Sequence, residues 1–241
     1  MGFGILKTGS EIQKTGCRIA FISLMLTLFL TQSIPVMADD QLSGIIKGVQ
    51  DKYSHLPGFT ITYTREILSK SMAMLGEAVK TDLATGRIYF KPPHFLRLEQ
   101  ERPKPETVIT NGEILWWYIP HKMQVYRYPS HKLGEELRLL VDIFYGLRQA
   151  EDSFKIILTG PGDKAEHRIR LTPDPPWPQV DHIDLSVVKG DYFIKIVEIH
   201  NHMGGITRFI LGDLTEKEKF EEDFFRFVVP EGVKVIDGGN S

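Results

Sequence analysis

The stretch ETVITNGEILWWYI, residues 106–119, indicates the fold class of this chain. Two short runs rich in Val, Ile, Thr and aromatic residues flank Asn111-Gly112. An Asn-Gly pair between such runs is the strongest short signal for a β-hairpin, because a type I′ turn needs positive φ at both central residues. We therefore predict two antiparallel strands, 106–110 and 114–119, joined by a type I′ turn.

Strand-like runs of the same kind continue on both sides of this hairpin. They are separated by turn residues, and they show no regular alternation of strands with helices that would predict a parallel sheet. The other predicted strands are 59–66, 77–90, 95–100, 123–128, 154–160, 167–172, 180–188, 192–200, 206–213 and 225–229. The pattern predicts a mainly β fold, an antiparallel meander of about eleven strands.

Three helices are predicted among these strands. Leu42, Ile45, Ile46, Val49 and Tyr53 recur at helical spacing and predict an amphipathic helix over 40–54. Residues 133–147 carry an unusually wide apolar stripe, and residues 215–222 are typical of a short polar helix.

The strand ILWWYI, residues 114–119, is apolar on both faces. A strand of this kind needs cover on each side of the sheet, and the helix 133–147 can supply one side. Two interpretations stay open here. The helix could close an ordinary core, or the sheet could fold around a cavity that accepts an apolar ligand.

Composition narrows the class of protein. The 241 residues include 29 Lys and Arg against 31 Asp and Glu, and 42% of the chain is hydrophobic. These proportions are those of a globular protein and argue against a disordered chain, a multi-span membrane protein or a general nucleic-acid binder. Cys17 is the single cysteine, which excludes an internal disulfide and a cysteine-based metal site.

The N-terminus is typical of a secretory signal peptide. Lys7, Lys14 and Arg18 precede an apolar run at 19–30, which is too short to cross a bilayer. Val36-Met37-Ala38 has the A-x-A-like pattern of a cleavage site. We predict cleavage after Ala38, removal of 1–38, and a single mature domain over 39–241.

The sequence contains no recognisable catalytic motif. It has no GxSxG, HExxH or Gly-rich phosphate loop, and the mature chain has no cysteine. His200 with His202 is the best metal candidate, but two ligands beside a turn are more simply surface residues. We expect no enzyme activity, no cofactor and no metal.

Three segments resemble the outer-membrane lipoprotein carrier family of LolA-like periplasmic chaperones. They are GRIYFKPPHFLRLE (86–99), TVITNGEILWWYIP (107–120) and FRFVVPEGVKV (225–235). These are similar to the family's patterns G-x-φ-x-φ-K-R-P-x-x-φ-R-W, v-x-D-G-k-x-L-W-x-Y-x-P and F-x-F-x-x-P-x-G-V-x-V. With the two apolar helices, the resemblance spans 40–236.

The resemblance implies an antiparallel sheet curled into an unclosed barrel, with helices as a lid over an apolar cavity. It implies a periplasmic chaperone that binds lipoproteins by their acyl chains. Such a protein receives them from an inner-membrane exporter complex and passes them to an outer-membrane acceptor. We expect a monomer that binds no nucleic acid. The alternative is a periplasmic regulatory sensor of the same half-barrel fold, which binds a lipid or lipoprotein and signals to a membrane partner.

The resemblance also assigns residues to the cavity. The sheet positions are Phe90, Leu96, Leu98, Trp116 and Tyr118, and the lid positions are Leu137, Leu140, Ile143 and Phe144. Lys91 and Arg97 are the polar residues expected near the gate. Pro92 stands where the family has its gating arginine, and a proline side chain cannot donate that hydrogen bond.

Overall fold

The computed structural model describes residues 1, 37–69, 82–129, 135–147, 150–160 and 165–238. For 37–39, 135–138 and 151 it describes the backbone alone. Contacts divide the chain into two compact units, Met1–Asp40 and Gln41–Ser241. All residues discussed below as part of a site belong to the second unit. The predicted signal peptide lies almost entirely outside the described residues.

One sheet of 12 strands dominates the described part of the chain. Its strands are β1 Phe59–Leu68, β2 Asp82–Lys91, β3 Phe95–Arg102, β4 Glu106–Thr110, β5 Ile114–Ile119, β6 Gln124–Pro129, β7 Phe154–Leu158, β8 Glu166–Pro173, β9 His182–Val188, β10 Ile194–His200, β11 Ile206–Glu216 and β12 Lys234–Asp237. The spatial order is β12-β6-β5-β4-β3-β2-β1-β11-β10-β9-β8-β7. Two meanders, β1–β6 and β7–β11, are therefore joined where β11 pairs with β1.

The sheet is not closed, because β12 and β7 lie at its two edges. This arrangement confirms the predicted mainly β fold with an unclosed barrel. Every pairing between neighbouring strands is antiparallel except that of β12 with β6, which is parallel.

Two helices of the structure correspond to the apolar helices predicted over 40–54 and 133–147. They are α1 Met37–Ser54, α2 Glu135–Phe144 and the short α3 Ala150–Ser153, with a 3-10 turn at Pro120–Lys122. Buried residues of α1 and α2 belong to one apolar cluster with strands β1–β3 and β7–β11. We call the sheet face covered by α1 and α2 the inner face, and the opposite one the outer face. No helix within the described ranges has the length and hydropathy of a membrane span.

Gly86, the first residue of the segment 86–99, is required for steric reasons. β2 and β3 shift register between Thr85 and Gly86, and a side chain at Gly86 would run into the carbonyl oxygen of Glu99 on β3. Only glycine allows the two backbones to approach so closely. The bulge also increases the local twist, which helps the sheet to curl.

The structure corrects three local predictions. Gly112 has φ +92° but Asn111 is not in the positive-φ region, so the β4–β5 turn is not type I′. Instead, Asn111 Oδ1 accepts hydrogen bonds from the backbone N–H groups of Glu113 and Ile114, which mimics a backbone turn. The predicted helix 215–222 is absent, since β11 runs on to Glu216. The predicted strand 225–229 is also absent.

The C-terminal segment 217–233 covers the outer face instead of forming a regular element. Its Phe224 ring lies 5.0 Å from that of Tyr89, and its Phe225 ring 5.6 Å from that of Phe95. Strand β12 follows this segment and extends the sheet beyond β6. The aromatic residues of 217–233 thus bury their rings against side chains rather than pairing backbone with a strand.

Candidate functional site

The inner face beneath α2 is lined by aromatic rings. The Phe144 ring of α2 lies 5.5 Å from the Phe59 ring and 6.0 Å from the Phe90 ring, and all three side chains are almost fully buried. Phe59 and Phe90 face each other across β1 and β2 at 5.5 Å. Because paired residues of neighbouring strands point to the same side, their alternation in sequence places both under α2.

α1 is attached to the same face by a buried tyrosine. The Tyr53 ring packs edge-on against Phe59 at 5.9 Å, and its hydroxyl oxygen accepts a hydrogen bond from the Ile194 N–H of β10 at 3.2 Å. Burial raises the pKa of Tyr53, because a phenolate would lose its hydration there. This bond links α1 to the second meander, whereas α2 makes its aromatic contacts with the first.

α2 ends at a tight turn against α1. Gly146 has φ +81°, and the Gly146 and Leu147 N–H groups donate to the carbonyls of Ile143 and Asp142. This arrangement satisfies carbonyl groups at the helix end, and its left-handed position favours glycine. A side chain at Gly146 would also contact Gln50 and Tyr53. The turn therefore lets α2 lie close to α1 over the sheet.

Most residues that the sequence assigned to the cavity meet at this place. Phe90 and Leu96 are directly paired and fully buried, and Leu98 is partly buried against the same cluster. From α2, Leu140, Ile143 and Phe144 join that cluster. The side chain of Leu137 lies outside the described part. Phe144 of α2 lies on the rings of Phe59 and Phe90, so an apolar ligand could reach these two rings only after α2 moves away.

Trp116 and Tyr118 are not part of this group. Trp116 pairs with Ile109 of β4, and Tyr118 pairs with Thr107. Both alternate along β5 with Leu115 and Trp117, so the two sets of side chains point to opposite faces of the sheet. Both rings contact Phe227 of the C-terminal segment at 5.5 Å, so they lie on the outer face. In the strand 114–119, Leu115 and Ile119 are buried on one face, and Trp116 and Tyr118 contact Phe227 on the other. The family resemblance assigned Trp116 and Tyr118 to the cavity. In the structure they lie on the opposite side of the sheet from α2.

Lys91 and Arg97 also lie on the outer face. Arg97 Nε donates to Glu99 Oε1 at 2.7 Å, and Arg97 Nη1 donates to the Phe224 carbonyl oxygen at 2.9 Å. Its guanidinium also stacks over the Phe224 ring at 4.8 Å. Lys91 Nζ lies 5.6 Å from the Phe95 ring centre. In this state both cations are on the side away from α2, and Arg97 fastens the C-terminal segment to β3.

A groove of about 570 Å³ lies where the C-terminal segment crosses the outer face. Aromatic side chains line much of it, including Phe95, Trp116 and Phe227, with acidic residues 221–223 at its rim. This groove is separated from the inner face by the sheet. Lys91 and Arg226 also line this groove.

One end of the inner face carries buried polar groups. The Tyr63 hydroxyl and Arg65 Nε are shielded from solvent and have no hydrogen-bond partner among the described residues. Burial, opposed by the nearby Arg65, raises the pKa of Tyr63 to about 12. A buried hydroxyl without a hydrogen-bond partner costs free energy, which makes Tyr63 a site where removal of the hydroxyl can be tested.

Sequence reasoning missed two residues at the centre of the site, Tyr53 and Phe59. Tyr53 was assigned to the amphipathic helix and Phe59 to a strand, without a place at the cavity. The signal was present in FTITYTRE, where Phe59, Ile61 and Tyr63 alternate with polar residues. Their burial in β1 follows this period of two.

Comparison with known proteins identifies related chains. The family model "Outer membrane lipoprotein carrier protein LolA" matches residues 73–228, well over half of the chain. An outer-membrane lipoprotein carrier protein from Hahella chejuensis is 24% identical over 198 residues, covering 82% of this chain and 87% of the relative. A protein of the same description from Alkalilimnicola ehrlichii is 25% identical over 226 residues, covering 92% and 96%.

A solved structure shows a similar fold. It is that of an uncharacterized conserved protein from Thermus thermophilus, with 11% sequence identity and a TM-score of 0.51. The match covers 81% of this chain and 98% of that protein. At this identity the likeness supports the half-barrel architecture and carries no statement about ligands.

Proposed function

Because the chain belongs to the LolA family of outer membrane lipoprotein carrier proteins, we propose that it carries lipoproteins through the periplasm by binding their acyl chains. The chains would lie between the inner face and α2. The observation that supports this most is the apolar face of α2, whose Leu140, Ile143 and Phe144 cover paired aromatic residues of β1 and β2. The proposed activity is binding and release without a chemical step.

The physical need for such a carrier is large. Exposing an acyl chain to water costs about 0.8 kcal/mol per methylene, so a chain of about fifteen methylenes costs about 12 kcal/mol. Burial against Phe59 and Phe90 would offset this cost in an aqueous compartment. The carrier must also release the acyl chain. The apolar residues of α2 would favour release, because they cover the same surface when no lipid is bound and so compete with the acyl chain for it.

Export is part of the proposal. The charged residues before 19–30, the short apolar run and Val36-Met37-Ala38 support a cleaved signal peptide and a mature chain beginning at Asp39. α1 begins at Met37, so cleavage after Ala38 would leave nearly all of that helix on the mature chain. Intact-mass measurement of protein from a periplasmic extract should show loss of 1–38. A chain that keeps Met1 and stays with the membrane fraction would contradict this part.

Binding can be tested with a fluorescent triacylated peptide and its unacylated form. We expect saturable binding of the acylated peptide alone. Leu140→Glu should abolish it, because the carboxylate would face the acyl chains. Leu83→Glu is the matched control, since Leu83 is half exposed on the outer face of β2. Thermal melting of both variants checks that the sheet remains folded. Equal binding by wild type and Leu140→Glu would exclude α2 from the site.

A transfer assay separates a carrier from a regulatory sensor with the same fold. Lipoprotein is first loaded onto the protein from vesicles that contain an inner-membrane exporter complex. It is then offered to vesicles carrying outer-membrane lipids and acceptor. A carrier increases the transferred fraction in proportion to its concentration. A sensor binds the lipoprotein without increasing transfer, and that result would overturn the carrier proposal while leaving lipid binding intact.

A further inference from the structure

Two histidines and an aspartate converge on the outer face of the second meander. His182 on β9 and His200 on β10 are direct cross-strand partners, and their rings stack at 4.2 Å between centroids. His182 Nε2 and His200 Nε2 each lie 3.7 Å from Asp184 Oδ2. The three atoms all lie within 4.8 Å of one another. None of these residues belongs to the inner face or to the lipid-binding proposal.

The hydrogen bonds around His182 fix which of its nitrogens is free. Its Nδ1 lies 2.6 Å from Asp181 Oδ2. An ionised carboxylate can only accept a hydrogen bond, so Nδ1 carries a proton, and in the singly protonated ring Nε2 presents a lone pair. A carboxylate behind the imidazole is the arrangement that usually orients a metal-binding histidine.

The two Nε2 atoms lack partners. Both are shielded from solvent, and neither has a hydrogen-bond partner within the described ranges. Burial lowers the pKa of His200. In the tautomer that leaves an Nε2 atom unprotonated, its lone pair faces the Asp184 carboxylate oxygen at 3.7 Å, which is unfavourable unless a cation lies between them.

Arg170 stabilises the carboxylate in this position. Its Nε and Nη2 donate to the two oxygens of Asp184, each at 2.7 Å. Burial would raise the pKa of Asp184, but these hydrogen bonds and the Arg170 charge outweigh burial and lower it. Each Asp184 oxygen thus accepts one hydrogen bond from Arg170 and keeps a second lone pair. The guanidinium charge reduces the affinity for a cation without occupying the space between the rings.

We propose that His182, His200 and Asp184 form a binding site for a divalent transition-metal ion of the zinc class. Two imidazoles and one carboxylate are a ligand set that suits Zn²⁺, with water in a fourth position. Donor atoms around tetrahedral zinc at about 2.0–2.2 Å are about 3.4 Å apart, close to the 3.7 Å observed. The two rings are stacked almost parallel, so binding one ion would require them to turn until both Nε2 lone pairs point at it.

The sequence alone pointed to a different pair. His200 and His202 share a face of the chain by alternation, but His202 lies beyond the end of β10. There, His202 Nε2 contacts the Trp177 carbonyl oxygen at 3.1 Å and its Nδ1 lies 3.4 Å from Asp181 Oδ1. The ligand that completes a site with His200 comes instead from β9, the preceding strand of the meander.

Zinc titration of the full purified chain at pH 7.5, with a chromophoric chelator as competitor, tests the site. Wild type should bind one ion that His200→Gln and His182→Gln weaken on the order of 100-fold. Asp181→Asn should weaken binding about 10- to 100-fold, because it only orients His182. His94→Gln is the control, since His94 stacks on Phe95 away from this cluster.

Two further measurements keep the test independent of folding defects. Zinc should raise the melting temperature of wild type and of His94→Gln but not of His200→Gln. Bound Co²⁺ should give the visible absorption of a tetrahedral ion, and binding should decline below about pH 6 as the imidazoles take protons. Affinity that is unchanged in both histidine variants would overturn the site.

Discussion

Truncating Phe144 to alanine distinguishes a movable α2 from an ordinary core helix. Phe144 is 1% exposed and packs between Phe59 and Phe90. Removing such a ring costs the packed state about 3–5 kcal/mol. If α2 can leave the inner face while the sheet stays folded, this loss favours that local opening. At about 1.4 kcal/mol per factor of ten, opening becomes about 100-fold to 3,000-fold more frequent.

Amide hydrogen exchange measures the effect. In Phe144→Ala we expect the amides of residues 139–144 to lose protection by that factor, while those of β2 and β9 lose much less. The affinity for an acylated peptide should rise, because less free energy is spent on displacing α2. The alanine also leaves the inner face apolar, in contrast to the charged Leu140→Glu variant.

Ile109→Ala is the matched control for this experiment. Ile109 is 3% exposed on β4, and it lies on the outer face opposite Trp116. Its truncation costs about 2–5 kcal/mol and removes no contact of α2. It should lower protection in the sheet and leave α2 nearly unchanged. Our interpretation is refuted if Phe144→Ala lowers the protection of α2 and of the sheet by one common factor, because α2 then opens only when the whole domain unfolds.

Three further perturbations test the contacts described above. Arg97→Ala should free the segment that includes Phe224 and cost about 1–3 kcal/mol in urea unfolding, with faster proteolysis of 217–233, while Arg87→Ala on the same face should have little effect. Tyr63→Phe removes an unpaired buried hydroxyl and should leave stability at pH 7 equal or higher. The pKa of Tyr63 is about 12 when folded against about 10 when unfolded, so its contribution is complete below pH 10 and lost as pH rises to 12. Wild type should therefore lose stability more steeply than Tyr63→Phe over that interval, and parallel curves would contradict the assignment. Tyr53→Phe should cost about 1–3 kcal/mol by leaving the Ile194 N–H without its acceptor, and an unchanged urea midpoint would show that water replaces the hydroxyl.

Local patterns in the sequence were sufficient for the strands and for two helices. The alternation in FTITYTRE and the hairpin signal at Asn111-Gly112 both correspond to strands of the sheet. The wide stripe of 133–147 corresponds to α2, whose Leu139, Leu140, Ile143 and Phe144 are buried. These features depend on how often side chains return to the same face, every 3.6 residues in a helix and every second residue in a strand. This spacing is the same in whatever fold the helix or strand occurs.

The C-terminal segment was predicted wrongly because its partners are distant in sequence. Residues 215–222 have a helical charge pattern and 225–229 a strand-like one. In the structure β11 continues through the start of the first, and the aromatic rings of 217–233 pack on Tyr89, Phe95 and Trp116. Burial of these rings against the outer face outweighs the weak local preference for a helix or strand.

Local patterns of the amino-acid sequence were enough to predict an antiparallel sheet with apolar helices. The family resemblance added the curl of the sheet and placed Phe90, Leu96 and the α2 residues in one apolar group. The folded arrangement was needed to learn on which side of the sheet Trp116 and Tyr118 lie, and that His182 stands beside His200. When both faces of a strand are apolar, the alternation of residues along the sequence does not show which face points toward the inner side of the sheet. Neighbours across strands depend on register, and register is decided by the packing of the whole sheet rather than by any short stretch of it.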